Sequence, residues 1–156
     1  MKAIHLGMLA LLLAASGISQ TPAARKGISI SGREKLIGAW RLVSIAGPDG
    51  KPVTTGVPTG MLTYTRDGHV SVQLMYPETA GSLSNEYVHN GYEASFGSYD
   101  LNEASHIVTH HVQGSNTRGL LVGKDLPRAY RFDNSGRLII RSTRADEHWS
   151  VVWEHY

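Results

Sequence analysis

The run Met61-Leu62-Thr63-Tyr64-Thr65-Arg66-Asp67-Gly68-His69-Val70-Ser71-Val72-Gln73-Leu74-Met75-Tyr76 places two β-prone stretches on either side of Asp67-Gly68. A tight reversal needs positive φ, which glycine accepts because it has no Cβ to clash with the backbone. Residues 61–65 and 69–76 therefore read as the two arms of a β-hairpin. Side chains alternate along such arms. Leu62 and Tyr64 share one face, as do Val70, Val72, Leu74 and Tyr76, and Met61, Thr63, Thr65, Ser71, Gln73 and Met75 take the other. Neither face is purely apolar, which suits a barrel with a mixed cavity and equally a filled core with a semi-polar exterior.

The same grammar repeats outward from this hairpin. Further β-prone runs cover 39–46, 92–101, 106–113, 120–132 (with Pro127 inside it), 137–143 and 148–155. Turn chemistry divides them at Gly47-Pro48-Asp49-Gly50-Lys51-Pro52, Asn102-Glu103-Ala104-Ser105, Asp133-Asn134-Ser135-Gly136 and Arg144-Ala145-Asp146-Glu147. The longer polar excursion after Tyr76 contains Ser84, placed to cap a short helix over 84–90. About eight strands with mostly short connections predict an all-β chain, a single antiparallel up-and-down barrel. Closure removes the exposed edges, and eight strands enclose about enough space for one small ligand.

Composition narrows the function classes. The chain has 156 residues, enough for one domain, and its 17 glycines fit a chain full of tight turns. There is no cysteine, which excludes a disulfide, a thiolate-held metal and a cysteine nucleophile. A formal charge of +2 is too small to call for nucleic acid, and none is expected as a partner. Met1-Lys2 precedes a stretch, 3–15, that is apolar except for His5, followed by small residues through Gly17. This layout predicts a secretory signal peptide over 1–23, cleaved near residue 17 or 23. Its apolar core is short against the roughly 20 residues of a membrane span, so no stable span is expected after cleavage. Residues 24–33 read as a linker and 34–156 as the folded domain, in a periplasmic or secreted protein.

Gly38-Ala39-Trp40 opens the first strand as a G-x-W signature, and other stretches follow in order. These are Leu36-Ile37-Gly38-Ala39-Trp40-Arg41-Leu42-Val43-Ser44, Gly60-Met61-Leu62-Thr63-Tyr64-Thr65 with Asp67-Gly68, and Ser71-Val72-Gln73-Leu74-Met75. Gly97-Ser98-Tyr99-Asp100, Val108-Thr109-His110-His111-Val112, Gly114-Ser115 and Val152-Trp153-Glu154 complete the set. Over 34–156 the chain resembles the bacterial and fungal lipocalin-like domain family. The resemblance implies a small closed or nearly closed barrel with an internal pocket. It also implies that Trp40 plugs the barrel base beneath a late-strand arginine, Arg141 or Arg144, by cation–π contact. The missing disulfides set this chain apart from secreted animal lipocalins.

The expected function is binding of a small, mainly hydrophobic molecule without a cofactor or metal. Tyr64, Tyr92, Phe96, Tyr99, His111, Tyr130 and Trp153 are the expected lining, with Gln73 and Thr109 as polar anchors. A second reading is a small isomerase, cyclase or hydrolase, with His110 or His111 as base and Glu93 or Tyr99 as acid. Only one of the two adjacent histidines can face inward. An inward His111 brings Ile107, Thr109 and Gln113 with it; an inward His110 brings His106, Val108 and Val112. A third reading is a filled barrel serving as an envelope interaction module. Seven basic residues between Arg118 and Arg144, against Asp125 and Asp133, read foremost as exterior arginines that keep strand edges soluble.

Overall fold

The computed structural model describes residues 31–52, 56–77 and 84–156. The signal-peptide reading lies outside them. Element order is α1 (Gly32–Leu36), β1 (Gly38–Ala46), β2 (Thr59–Tyr64), β3 (His69–Met75), β4 (Tyr92–Asn102) and β5 (Ile107–Ser115), then α2 (Arg118–Leu121), β6 (Asp125–Phe132), β7 (Leu138–Ser142) and β8 (Ser150–His155). The strands pair antiparallel in chain order and close into a barrel as β8 meets β1, with Trp40 opposite His155. No helix among the described residues is long and apolar enough to cross a membrane.

The 61–76 hairpin forms as its sequence dictates. Gly68 takes φ +93°, Thr65 and His69 exchange backbone and side-chain hydrogen bonds, and Leu62 pairs with Val72. Leu62, Tyr64, Val70 and Leu74 face inward and are buried. Three local expectations fail. Residues 84–90 form no helix: Asn85 Oδ1 accepts from the amides of Tyr87 and Val88, and Ser84 Oγ accepts from Asn90 N. These side-chain bonds offer the backbone a turn in place of a helix. Residues 118–121 are a helical turn, so the strand expected from Leu120 begins only at Asp125. Ser31-Gly32-Arg33, read as linker, are the cap and first turn of α1, with Ser31 Oγ accepting from Glu34 N.

One end of the barrel is closed by α1. Glu103 in the β4–β5 turn accepts from Gly32 N at 2.8 Å, and Arg66 in the β2–β3 turn grips Glu34 at 2.6 and 2.9 Å. Leu36 and Trp40 are fully buried, and the Trp40 indole donates to Leu36 O at 2.9 Å. Trp40 thus bolts the helix to the barrel floor. Its stacking partner is His155, with centroids 3.5 Å apart, where an arginine was expected. Arg141 is exposed, and Arg144 is engaged with Glu86, Asp146 and Glu147 at the far end. Gly38 makes the His155 contact feasible: its φ is +136°, and a Cβ there would sit 2.6 Å from the imidazole Cε1.

Gly97 marks the bulge in the β4–β5 pairing, where a Cβ would strike the carbonyl oxygen of His111. Gly97→Ala should therefore lower unfolding stability by at least about 2 kcal/mol, the scale of overpacking a rigid site. Gly119→Ala, in α2 and facing open space, should be neutral or slightly stabilising. Denaturant melts of both variants check the pair.

Candidate functional site

Inward-facing residues fill the half of the barrel next to α1. Val70, Tyr99, Val108, Tyr130 and Leu138 pack there around Trp40 and Leu36. The other half holds a cavity of about 290 Å³. Its wall is Ile45, Leu62, Val72, Leu74, Leu126, Ile140, Val151 and Trp153, with Tyr87 and Val88 from the β3–β4 connection and Trp149 from the β7–β8 connection. Glu93, Ser95, His110 and Arg128 bring polarity into this mostly apolar wall.

His110 is the inward histidine. It is buried with Val108 and Val112, and its Nε2 stands 2.7 Å from the Tyr64 hydroxyl. Burial, reinforced by the Arg128 charge, pushes the imidazole down to about 3, and burial drives the Tyr64 phenol upward. The pair is therefore neutral across the physiological range. Its job is to satisfy two buried polar groups. Glu93 lines the same cavity, and burial lifts its carboxyl to about 7 against the opposing pull of Arg128.

Arg128 is 5% exposed. Its guanidinium lies 5.2 Å from the Tyr87 ring centroid and 4.9 Å from that of Trp149, so aromatic faces cover it. Glu147 Oε2 stands 4.0 Å from Nη1. That carboxylate is already occupied, accepting from Tyr87, Ser142 and Trp149 and pairing with Arg144 at 3.0 Å. Burial works against its charge, but these hydrogen bonds prevail and hold Glu147 below the usual carboxylate range.

Of the expected lining, Trp153 is in the cavity wall. Tyr64, Tyr99 and Tyr130 point inward but belong to the packed half; Tyr99 donates to Thr65 O, and Tyr130 packs on Phe132. Gln73, Tyr92 and Phe96 are exposed, because they alternate with inward Val72, Leu74, Glu93, Ser95 and Gly97. Thr109 and His111 likewise face out. His111 sits between Asp125 at 2.6 Å and Asp100 at 3.0 Å, whose hydrogen bonds raise its pKa. Of the acid–base candidates, His110 and Glu93 share the cavity, while His111 and Tyr99 do not reach it. Arg128, Tyr87 and Trp149 are the residues the expectation lacked. Alternation could have found Arg128, since it lies between inward Leu126 and Tyr130.

Residues 37–154 match the lipocalin-like domain family. The chain belongs to that family. No curated protein matches this lipocalin-like chain. Among solved structures, a mutant of the fluorescent protein UnaG is similar at 12% identity, over 79% of this chain and 97% of that one, with a TM-score of 0.42.

The raised Glu93 pKa makes a signed prediction about the barrel. A carboxyl at about 7 when folded and about 4.5 when unfolded binds protons more tightly in the folded state. Its contribution to stability is complete below about pH 4.5 and is lost as pH rises through 7. Glu93→Gln cannot ionise, so its stability relative to wild type should grow over that window. At about 1.4 kcal/mol per pKa unit, the gain should reach on the order of 3 kcal/mol. Chemical denaturation from mildly acidic to mildly basic pH reads it.

Proposed function

We propose that this lipocalin-like barrel is exported and carries or sequesters a small, mainly apolar molecule in its interior. The observation that carries the reading is the cavity of about 290 Å³, walled by aliphatic side chains and two tryptophans. At about 30 Å³ per water-sized group, it takes roughly ten non-hydrogen atoms. At about 0.3 kcal/mol per atom such a ligand binds with a Kd on the order of millimolar, and the ceiling of about 1.5 kcal/mol per atom bounds the affinity at a Kd on the order of 10 pM. Export to the periplasm or medium rests on the signal-like residues 1–23.

Glu93 favours a second reading, proton transfer on a bound substrate. A carboxyl near neutrality in a largely apolar chamber has the pKa a general acid or base needs. That reading expects Glu93→Gln to keep binding and lose turnover.

Trp149 and Trp153 line the cavity and report its filling. Medium-chain apolar compounds should change their fluorescence, and native mass spectrometry should find such a compound retained from a lipid extract. Val151→Phe places a ring in the cavity and should weaken retention at least tenfold with the barrel still folded by circular dichroism. A wild-type protein that stays empty throughout would refute the binding reading.

A further inference from the structure

We propose that the ligand is a monocarboxylate, its apolar body in the cavity and its carboxylate paired with Arg128; this deepens the binding reading and rests on it. The first ground is the state of the guanidinium. Arg128 is 5% exposed and lines the cavity, and its protein partners there are the Tyr87 hydroxyl and the Glu147 carboxylate, the latter only at 4.0 Å. A guanidinium carries five N–H donors in a planar fork that matches a carboxylate edge. Five donors are more than one phenol and one carboxylate at 4.0 Å can use, which leaves capacity for an anion in the cavity.

The second ground is that the protein's own acids are committed elsewhere. Glu147 is the carboxylate at ion-pair distance, 4.0 Å, and three hydrogen bonds and Arg144 already hold it. The Tyr87 hydroxyl accepts from Arg128 and donates to Glu147, so it takes up only part of the guanidinium's donor set. From β5, His110 is turned toward Tyr64. From β4, Glu93 faces the cavity, and burial keeps its carboxyl protonated below about pH 7, where it can donate to an incoming carboxylate.

The third ground is how Arg128 is held. The Tyr87 and Trp149 rings stand 5.2 and 4.9 Å from the guanidinium carbon and hold the cation at the cavity wall. Apart from Asn85, Ser95 and Tyr76, the remaining wall is aliphatic or tryptophan and suits a hydrocarbon or ring body. With room for roughly ten non-hydrogen atoms, the fit is an acid of about eight carbons.

The test is a ligand series on the full-length mature protein: octanoate, octanol, methyl octanoate and octylamine, each titrated against tryptophan fluorescence and calorimetry. In mildly acidic buffer, with the acid ionised, octanoate should bind at least tenfold more tightly than octanol or the ester, and octylamine should be weakest. Arg128→Met should erase the preference while octanol still binds, and Arg128→Lys should keep part of it. Since removing Arg128 disturbs the Tyr87–Trp149 stack, the wild-type series decides even if the variants fold poorly. Equal affinity for octanoate and octanol overturns the carboxylate assignment and leaves the binding reading standing. Failure of every compound to bind overturns both.

Discussion

Taking a guanidinium out of water costs several kcal/mol even after the protein relaxes around it, and Arg128 is placed inside the barrel wall at that cost. Much of the cavity end follows from what compensates it. Tyr87 comes from the β3–β4 connection, and Glu147 and Trp149 come from the β7–β8 connection. Tyr87 then donates to Glu147, and Arg144 joins Glu147 to Glu86 at 2.6 Å. Thr117, next to α2, donates to Glu86 O at 2.8 Å. Three of the four connections at that end are thereby tied together around one buried cation.

The opposite end works by different physics. There the side chains are aromatic and aliphatic, α1 lies across the barrel, and Trp40 joins helix to floor through one hydrogen bond and one stacked imidazole. Dense packing there supplies rigidity, since cores tolerate voids poorly. The cavity of about 290 Å³ lies in the half whose rim is polar and cross-linked. A barrel filled along its whole length, the third reading of the sequence, is not what these side chains build.

Strand existence and topology were legible because alternation and turn chemistry are local signals. Asp67-Gly68 and Asp133-Asn134-Ser135-Gly136 each sit where a reversal occurs. What misled was chemistry judged without parity. Phe96 and Tyr92 attract attention as aromatics, yet they share strand β4 with inward Glu93 and Ser95 at the opposite parity. Gln73 fails for the same reason on β3, and the His110–His111 ambiguity could not be broken by parity alone. Arg128 was hidden by the opposite error, since a cation in a strand reads as exterior by default. Its aromatic cover comes from residues 41 positions before and 21 after it, a closeness that only the closed barrel creates.

The residue under the G-x-W signature is legible in sequence, but its partner is not. Gly38 and Trp40 announce the first strand, whereas His155 takes the stacking position because β8 closes on β1 in that register. The ligand reading depends on the hollow half and its cation, and the most direct measurement is carbon-13 NMR of carboxyl-labelled octanoate bound to the barrel. The account predicts one bound carboxyl resonance that stays ionised to lower pH than free octanoate, with that protection lost in Arg128→Met. A carboxyl carbon that titrates as it does in water, in wild type and variant alike, would contradict it.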